Sequence, residues 1–398
     1  MANQSLVIPP VSKLQHRAAR SLLLGCEGCI DRTLCGGLEI EGPAFSCLDH
    51  CTCTDPTTCD LVCPRNPKAF AKRVREVSGF HLTDLAKRPR RGFPSVPDTV
   101  HLVYRSLPLD QPVGLDVVAI PFSEIFRRRG KRAEPRTRPE LERKFGLGPQ
   151  TRIILSGVEL DHRVEQWWGS TGRREIAQGL PHLGVIAATT PNFSLMVDVP
   201  RHDNLHAMKR IALVWSELHD AKVPTALHLN GRTEHDFIRY REFLQIHTEI
   251  DAVAFEFTTG PATSERSPFY VDMLCRLADE LNRPLHLVLR GGLRWANTLS
   301  KRYPRTTLID TTAFVRTVKR KRAVLRGERR LSWEPHPTKE GERLDALLAN
   351  NLAVVSAWLA HTRRDPPPAR RTPRTTTVDR ALQCDLDSYN ETSQLRLL

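Results

Sequence analysis

Eight short apolar runs recur between residues 100 and 312, and their order constrains the fold more than any other feature. They are VHLVYR (100–105), LDVVAI (115–120), TRIILSG (151–157), LGVIAAT (183–189), VPTALHLNG (223–231), DAVAFEFTTG (251–260), RPLHLVLRGG (283–292) and RTTLIDTT (305–312). Each is rich in apolar and β-branched residues, as buried parallel strands are. Helical patterns separate the later runs. In LHAMKRIALVWSELHDA (205–221), Met208, Ile211, Ala212, Trp215 and Leu218 fall on one face. EHDFIRYREFLQIH (234–247) and SPFYVDMLCRLADELN (267–282) follow. Strand–helix alternation implies a parallel sheet with helical crossovers. The expected fold is α/β, a (β/α)8-like barrel, with a doubly wound open parallel sheet as the alternative.

Eight of the ten cysteines crowd into residues 26–64: Cys26, Cys29, Cys35, Cys47, Cys51, Cys53, Cys59 and Cys63. Few apolar residues accompany them, so a bound metal would supply much of the folding energy there. The start of the chain lacks the charged-then-apolar order of a signal peptide, and no apolar run is long enough to span a membrane. A cytoplasmic, reducing setting follows as the expectation, and it favours metal ligation over disulfides. The ending Cys59-x3-Cys63-Pro64 matches that of the bacterial ferredoxin run. The stretch CEGCIDRTLCGG resembles the C-x2-C-x5-C of auxiliary-cluster domains in radical enzymes. One or two [4Fe–4S] clusters are expected, with zinc as the alternative.

The net charge is +14, unevenly placed. Residues 26–64 hold seven acids and one base, a net of −6, which leaves +20 for the rest. An acidic module is a poor DNA-reading finger, since such fingers must meet phosphates. Residues 127–144 hold nine bases against three acids, and 316–330 eight against one. The expected partner is nucleic acid, DNA or RNA, held through Arg127, Arg128, Arg129, Lys131 and Arg132 and through Lys319, Arg320, Lys321 and Arg322. The expected organisation is an N-terminal extension (1–25), a Cys-rich module (26–80), the barrel (98–335), a C-terminal helix (336–362) and a disordered basic tail (363–398).

In a barrel, function gathers at the C-terminal ends of the strands. The polar residues there include Glu159, Asp161, Asn192, Ser194, His228, Asn230, Glu256, Arg290 and Asp310. His228 and Asn230 are two apart and point the same way. Glu256 interrupts an apolar strand, where an unpaired carboxylate is expensive. His228, Glu256 and Asp310 are the candidate catalytic groups. Asn192, Ser194, Asn230 and Arg290 are candidates for substrate binding. Trp167 and Trp168, in a polar loop after the third strand, would stack on a base or cap the barrel mouth.

The segment LGVIAATTPNFSLMVDVPRHDNLHAMKRIALVWSELHDAKVPTALHLNG resembles a bacterial and phage domain family whose strand ends in P-D-F-S. Here Pro191-Asn192-Phe193-Ser194 stands in that place, with Asn for Asp at 192. The resemblance implies a mobile-element or defence context. The barrel-plus-metal layout is also similar in outline to tRNA-guanine transglycosylases, without their zinc spacing or catalytic motifs. Together these readings predict an enzyme acting on nucleic acid or a nucleotide, by base modification or glycosyl-type transfer. The alternatives are a non-enzymatic nucleic-acid-binding protein and an iron–sulfur redox protein.

Overall fold

The computed structural model describes residues 20–22, 39–41, 73, 76–104, 107–126, 133–195, 201–258, 262, 266–327 and 330–364. All eight clustered cysteines, Arg127 to Arg132 and the chain beyond residue 364 lie outside the described residues. A short antiparallel pair, β1 (Arg20–Leu22) and β2 (Glu39–Glu41), stands apart from the main sheet.

All eight expected strands form. They are β3 (Thr99–Leu102), β4 (Val117–Pro121), β5 (Arg152–Ser156), β6 (Val185–Thr189), β7 (Thr225–His228), β8 (Ala252–Phe257), β9 (His286–Gly291) and β10 (Arg305–Asp310). Each pairs in parallel with the next, and β10 returns to β3, which closes the barrel and rules out an open sheet. The helices are α1 (Arg138–Phe145), α2 (Asp161–Trp168), α3 (Arg173–Gly179), α4 (Arg201–Asp220), α5 (Glu234–Ile246), α6 (Ser267–Leu281), α7 (Leu293–Ser300), α8 (Thr312–Val318) and α9 (Asp345–Arg364). A hairpin, β11 (Lys321–Arg326) and β12 (Arg330–Pro335), follows α8 outside the barrel. The final helix starts at Asp345, later than expected from 336, after a stretch holding Pro337 and Gly341. Its first residue accepts the backbone N–H groups of Asp110 and Gln111.

Two apolar layers result. The outer one, between strands and helices, includes Trp215, Tyr240, Phe243, Leu274 and Phe314. The inner one fills the barrel with small side chains, among them Ala119, Ala187, Ala226, Ala252 and Ala254. So many alanines leave room at the base, and Phe93 fills it. Its ring meets His286 edge-on at 4.9 Å, and its N–H donates to Asp251 at 2.9 Å. The segment carrying Phe93 runs along α4 as a strap. Glu76 meets His206 at 3.2 Å, Pro89 O meets His219 at 2.7 Å, and Arg88 pairs with Asp220 at 2.8 Å. This strap links the Cys-rich part of the chain to the barrel.

Candidate functional site

Strand parity decides what enters the barrel mouth. Ala226, Ala252, Ala254 and Val288 face the interior. Counting on by twos brings His228 from β7, Glu256 from β8 and Arg290 from β9 to the C-terminal end of the same lumen. The register sets Glu256 directly beside Arg290. Arg290 reaches across the barrel, its guanidinium donating to Ser156 Oγ at 3.4 Å and to the Val158 carbonyl. Glu256 accepts from Thr258 N–H at 2.8 Å and Thr258 Oγ at 2.6 Å.

His228 is 1% exposed, and its backbone N–H donates to Thr190 Oγ1 at 2.8 Å. Burial, helped by the Arg290 charge, drives its pKa down to about 3, so the ring is neutral at physiological pH. Its Nδ1 and the Nε of Arg290 are buried without a hydrogen-bond partner among the described residues. Buried polar atoms are ordinarily paired, and these are two of fourteen such side-chain atoms among the described residues. Tyr104, at the end of β3, interacts with Arg290, and burial raises its phenol.

The loops after β6 and β7 are tied together. Asn230 Nδ2 donates to Asn192 Oδ1 at 2.8 Å and to the Phe193 carbonyl at 2.9 Å. Gly157 lets its own loop, after β5, approach the loop after β6: a Cβ there would lie 2.2 Å from the Thr190 carbonyl oxygen. Ser194 is exposed and donates to Asp161 at 2.5 Å. Asn192 and Asn230 thus shape the mouth by holding each other.

Glu159 joins the site from the loop after β5. Ser123, in the turn after β4, holds it through both N–H and Oγ. Arg163 approaches it at 3.8 Å and Glu124 at 3.6 Å. Burial raises the Glu159 pKa, and the Ser123 hydrogen bonds and the Arg163 and Arg290 charges oppose this without reversing it. Beside it opens a cleft of about 710 Å³, lined by Ser123, Glu124, Arg136, Lys144, His162 and Arg163 among others. Ser123, Arg163 and Tyr104 were not expected from the sequence. The clue at Glu159 was its strand-end position in GVELD.

Other expected site residues are not brought to the mouth. Asp310 shares the outward parity of Leu308, while Ile309 faces the lumen. It bonds His101 at 3.0 Å, and His101 in turn meets Ser356 of α9 at 2.7 Å. It also accepts the N–H groups of Thr312 and Ala313, capping α8. Asp310 therefore seals the seam between β3 and β10. Trp167 and Trp168 lie on α2 rather than in a loop, 1% and 8% exposed. Trp167 packs on Phe122 and Phe126, and Trp168 donates to Glu76 beneath the Arg173 guanidinium. Neither offers a free ring face for a base. Gly291 and Gly292 adopt φ of +73° and +70° against Phe257, so this pair forms a turn.

Lys319 and Arg322 are exposed, and Lys321 is half-buried. Arg320 is used internally, donating to Thr338 Oγ1 at 2.8 Å and to the Val318 carbonyl. Among the described residues no cluster of three His, Cys, Asp or Glu side chains has a metal-binding arrangement, and no helix is long and apolar enough to cross a membrane. No protein-family model and no curated protein matches the chain.

Proposed function

We propose that this chain is a barrel enzyme acting on a nucleotide or nucleic acid, by base modification or glycosyl-type transfer, at the mouth formed by His228, Glu256, Arg290 and Glu159. The observation that carries the reading is the convergence of these groups from neighbouring strands and one strand-end loop, with buried orphan nitrogens on His228 and Arg290. Arg290 holds an anionic group of the substrate. Glu159, whose proton is retained to higher pH than an ordinary carboxyl, is the donor. Glu256 is the base or nucleophile. Neutral His228 orients the substrate by hydrogen bonding. The basic charge of the chain outside residues 26–64 supports a phosphate-bearing substrate. The cysteine module is assigned a [4Fe–4S] cluster, with zinc as the alternative, and the PNFS segment suggests a mobile-element or defence setting.

The test is incubation with nucleosides, nucleotides, transfer RNA and DNA oligonucleotides, followed by mass spectrometry of products. A mass change or released base is expected, lost in Glu256→Gln and Arg290→Met but kept in Asp310→Asn. Product formation that survives Glu256→Gln, or no product from any of these substrates, overturns the reading.

A further inference from the structure

The β11–β12 hairpin carries a feature that the barrel mouth does not explain. Its two faces differ sharply. Lys321, Ala323 and Leu325 pair with Pro335, Trp333 and Leu331 on one face. That side is anchored: Ala323 is buried, and Arg316 stacks on Trp333 at 5.6 Å. The edge of β11 is fastened too. Asn351 of α9 accepts the Ala323 N–H at 2.7 Å and donates to the Lys321 carbonyl at 2.8 Å. A two-stranded ribbon is marginal alone, and these contacts hold this one rigid.

The opposite face presents Arg322, Arg326 and Arg330, all exposed. Arg326 and Arg330 stand directly across from each other in the register. Like charges in that position destabilise a hairpin. Among the described residues of this face one carboxylate, Glu334, faces Arg322 and reaches Arg326 at 3.4 Å, and both partners of that ion pair are at least half exposed. Such a pair contributes little in water. The face therefore keeps a surplus of positive charge on a stiff ribbon. Arg322 and Arg326 are four residues apart on one strand, about 13 Å at the usual rise. That separation, with the Arg326–Arg330 pair at one end, suits a run of phosphates rather than a single small anion.

We propose that the outward face of the β11–β12 hairpin is a docking surface for the sugar-phosphate backbone of a nucleic-acid strand. It is separate from the catalytic mouth, and it stands whether or not the mouth is an active site. If both hold, the substrate is a polymer and the hairpin supplies affinity without reading bases.

The experiment is fluorescence anisotropy of labelled single-stranded DNA and RNA 20-mers across a salt series. The wild type is compared with Arg322→Gln/Arg326→Gln/Arg330→Gln and with Lys87→Gln/Lys222→Gln/Lys301→Gln, which removes the same charge from exposed sites elsewhere. Circular dichroism confirms that each is folded, and Arg326→Gln alone serves if the hairpin triple variant is not. The hairpin triple variant is expected to bind at least tenfold more weakly near 100 mM salt, with its log–log salt slope lowered by about 2, given roughly 0.7 per lost phosphate contact. The control is expected to stay within about twofold of wild type. Arg326→Gln alone is expected to lower the slope by about 0.7. Equal losses in the two triple variants, an unchanged hairpin variant, or wild-type binding that ignores salt would each overturn the proposal.

Discussion

Asp310 and Glu256 are both acids near the C-terminal ends of barrel strands, yet they do opposite work. One step of parity separates them. Glu256 follows Ala252 and Ala254 into the lumen, and Asp310 follows Leu308 to the outside. That difference was not legible in the sequence, because a strand buried on both faces carries apolar residues at every position. The inward set at β7 to β9 was legible for a different reason: its polar residues interrupt otherwise apolar strands. Burial alone would raise the Asp310 pKa, but hydrogen bonds from His101 and Thr312 outweigh it and hold the carboxyl below its ordinary value. Its contribution to stability is thus complete above the unfolded-chain pKa, and is lost as pH falls through the depressed one. Asp310→Ala strips the α8 cap and leaves His101 Nδ1 without its carboxylate partner. It is expected to cost about 3 kcal/mol, read by urea denaturation at pH 7. Substrate binding at the mouth is expected to stay within about twofold of wild type, as Asp310 contributes no side chain there.

At the scale of elements, all eight strands were legible, including the first two with their short connections. Their composition survives because each must be buried between lumen and helices. Two other elements were not legible. EQWWGS looks like a loop because polar residues flank its tryptophans, but α2 buries both rings against neighbours that only the folded chain supplies. The 316–330 run is so basic that its strand alternation is masked, and half of it is β11 with its turn. Gly157 gives a sharp test of how elements meet at the mouth. Gly157→Ala places a methyl group against backbone atoms of Thr190 and Pro191, which cannot rotate away. The expected loss is about 2–3 kcal/mol by thermal or urea unfolding, with weaker ligand binding because the Asn192–Asn230 contact moves.

The whole chain carries a formal net charge of +14 around a barrel lumen filled mainly by small apolar side chains. Three buried histidines make it acid-sensitive. Burial lowers His228 to about 3 and His206 and His286 to about 4. Below about pH 6.5 the unfolded chain takes up these protons and the folded chain does not, so stability falls as pH drops toward 4. The histidines together steepen that fall by up to about 4 kcal/mol per pH unit. Urea midpoints between pH 7 and 4.5 measure it, and His228→Gln is expected to flatten the curve. The cysteine segment gives the other molecule-wide prediction. Anaerobically purified protein is expected to carry iron and acid-labile sulfide at about four each per cluster. Zinc without iron would make the segment a structural staple instead.

At the proposed mouth, Arg290 would receive the phosphate of a bound nucleotide. Isothermal titration with the four nucleoside monophosphates, comparing wild type with Arg290→Met, tests it most directly. At least one nucleotide is expected to bind with a Kd below about 1 mM and to weaken tenfold or more in the variant, since a charge-assisted hydrogen bond is worth roughly 1.5–3 kcal/mol. Equal affinity for wild type and variant, or no binding by any of the four, would show that Arg290 does not hold a nucleotide phosphate.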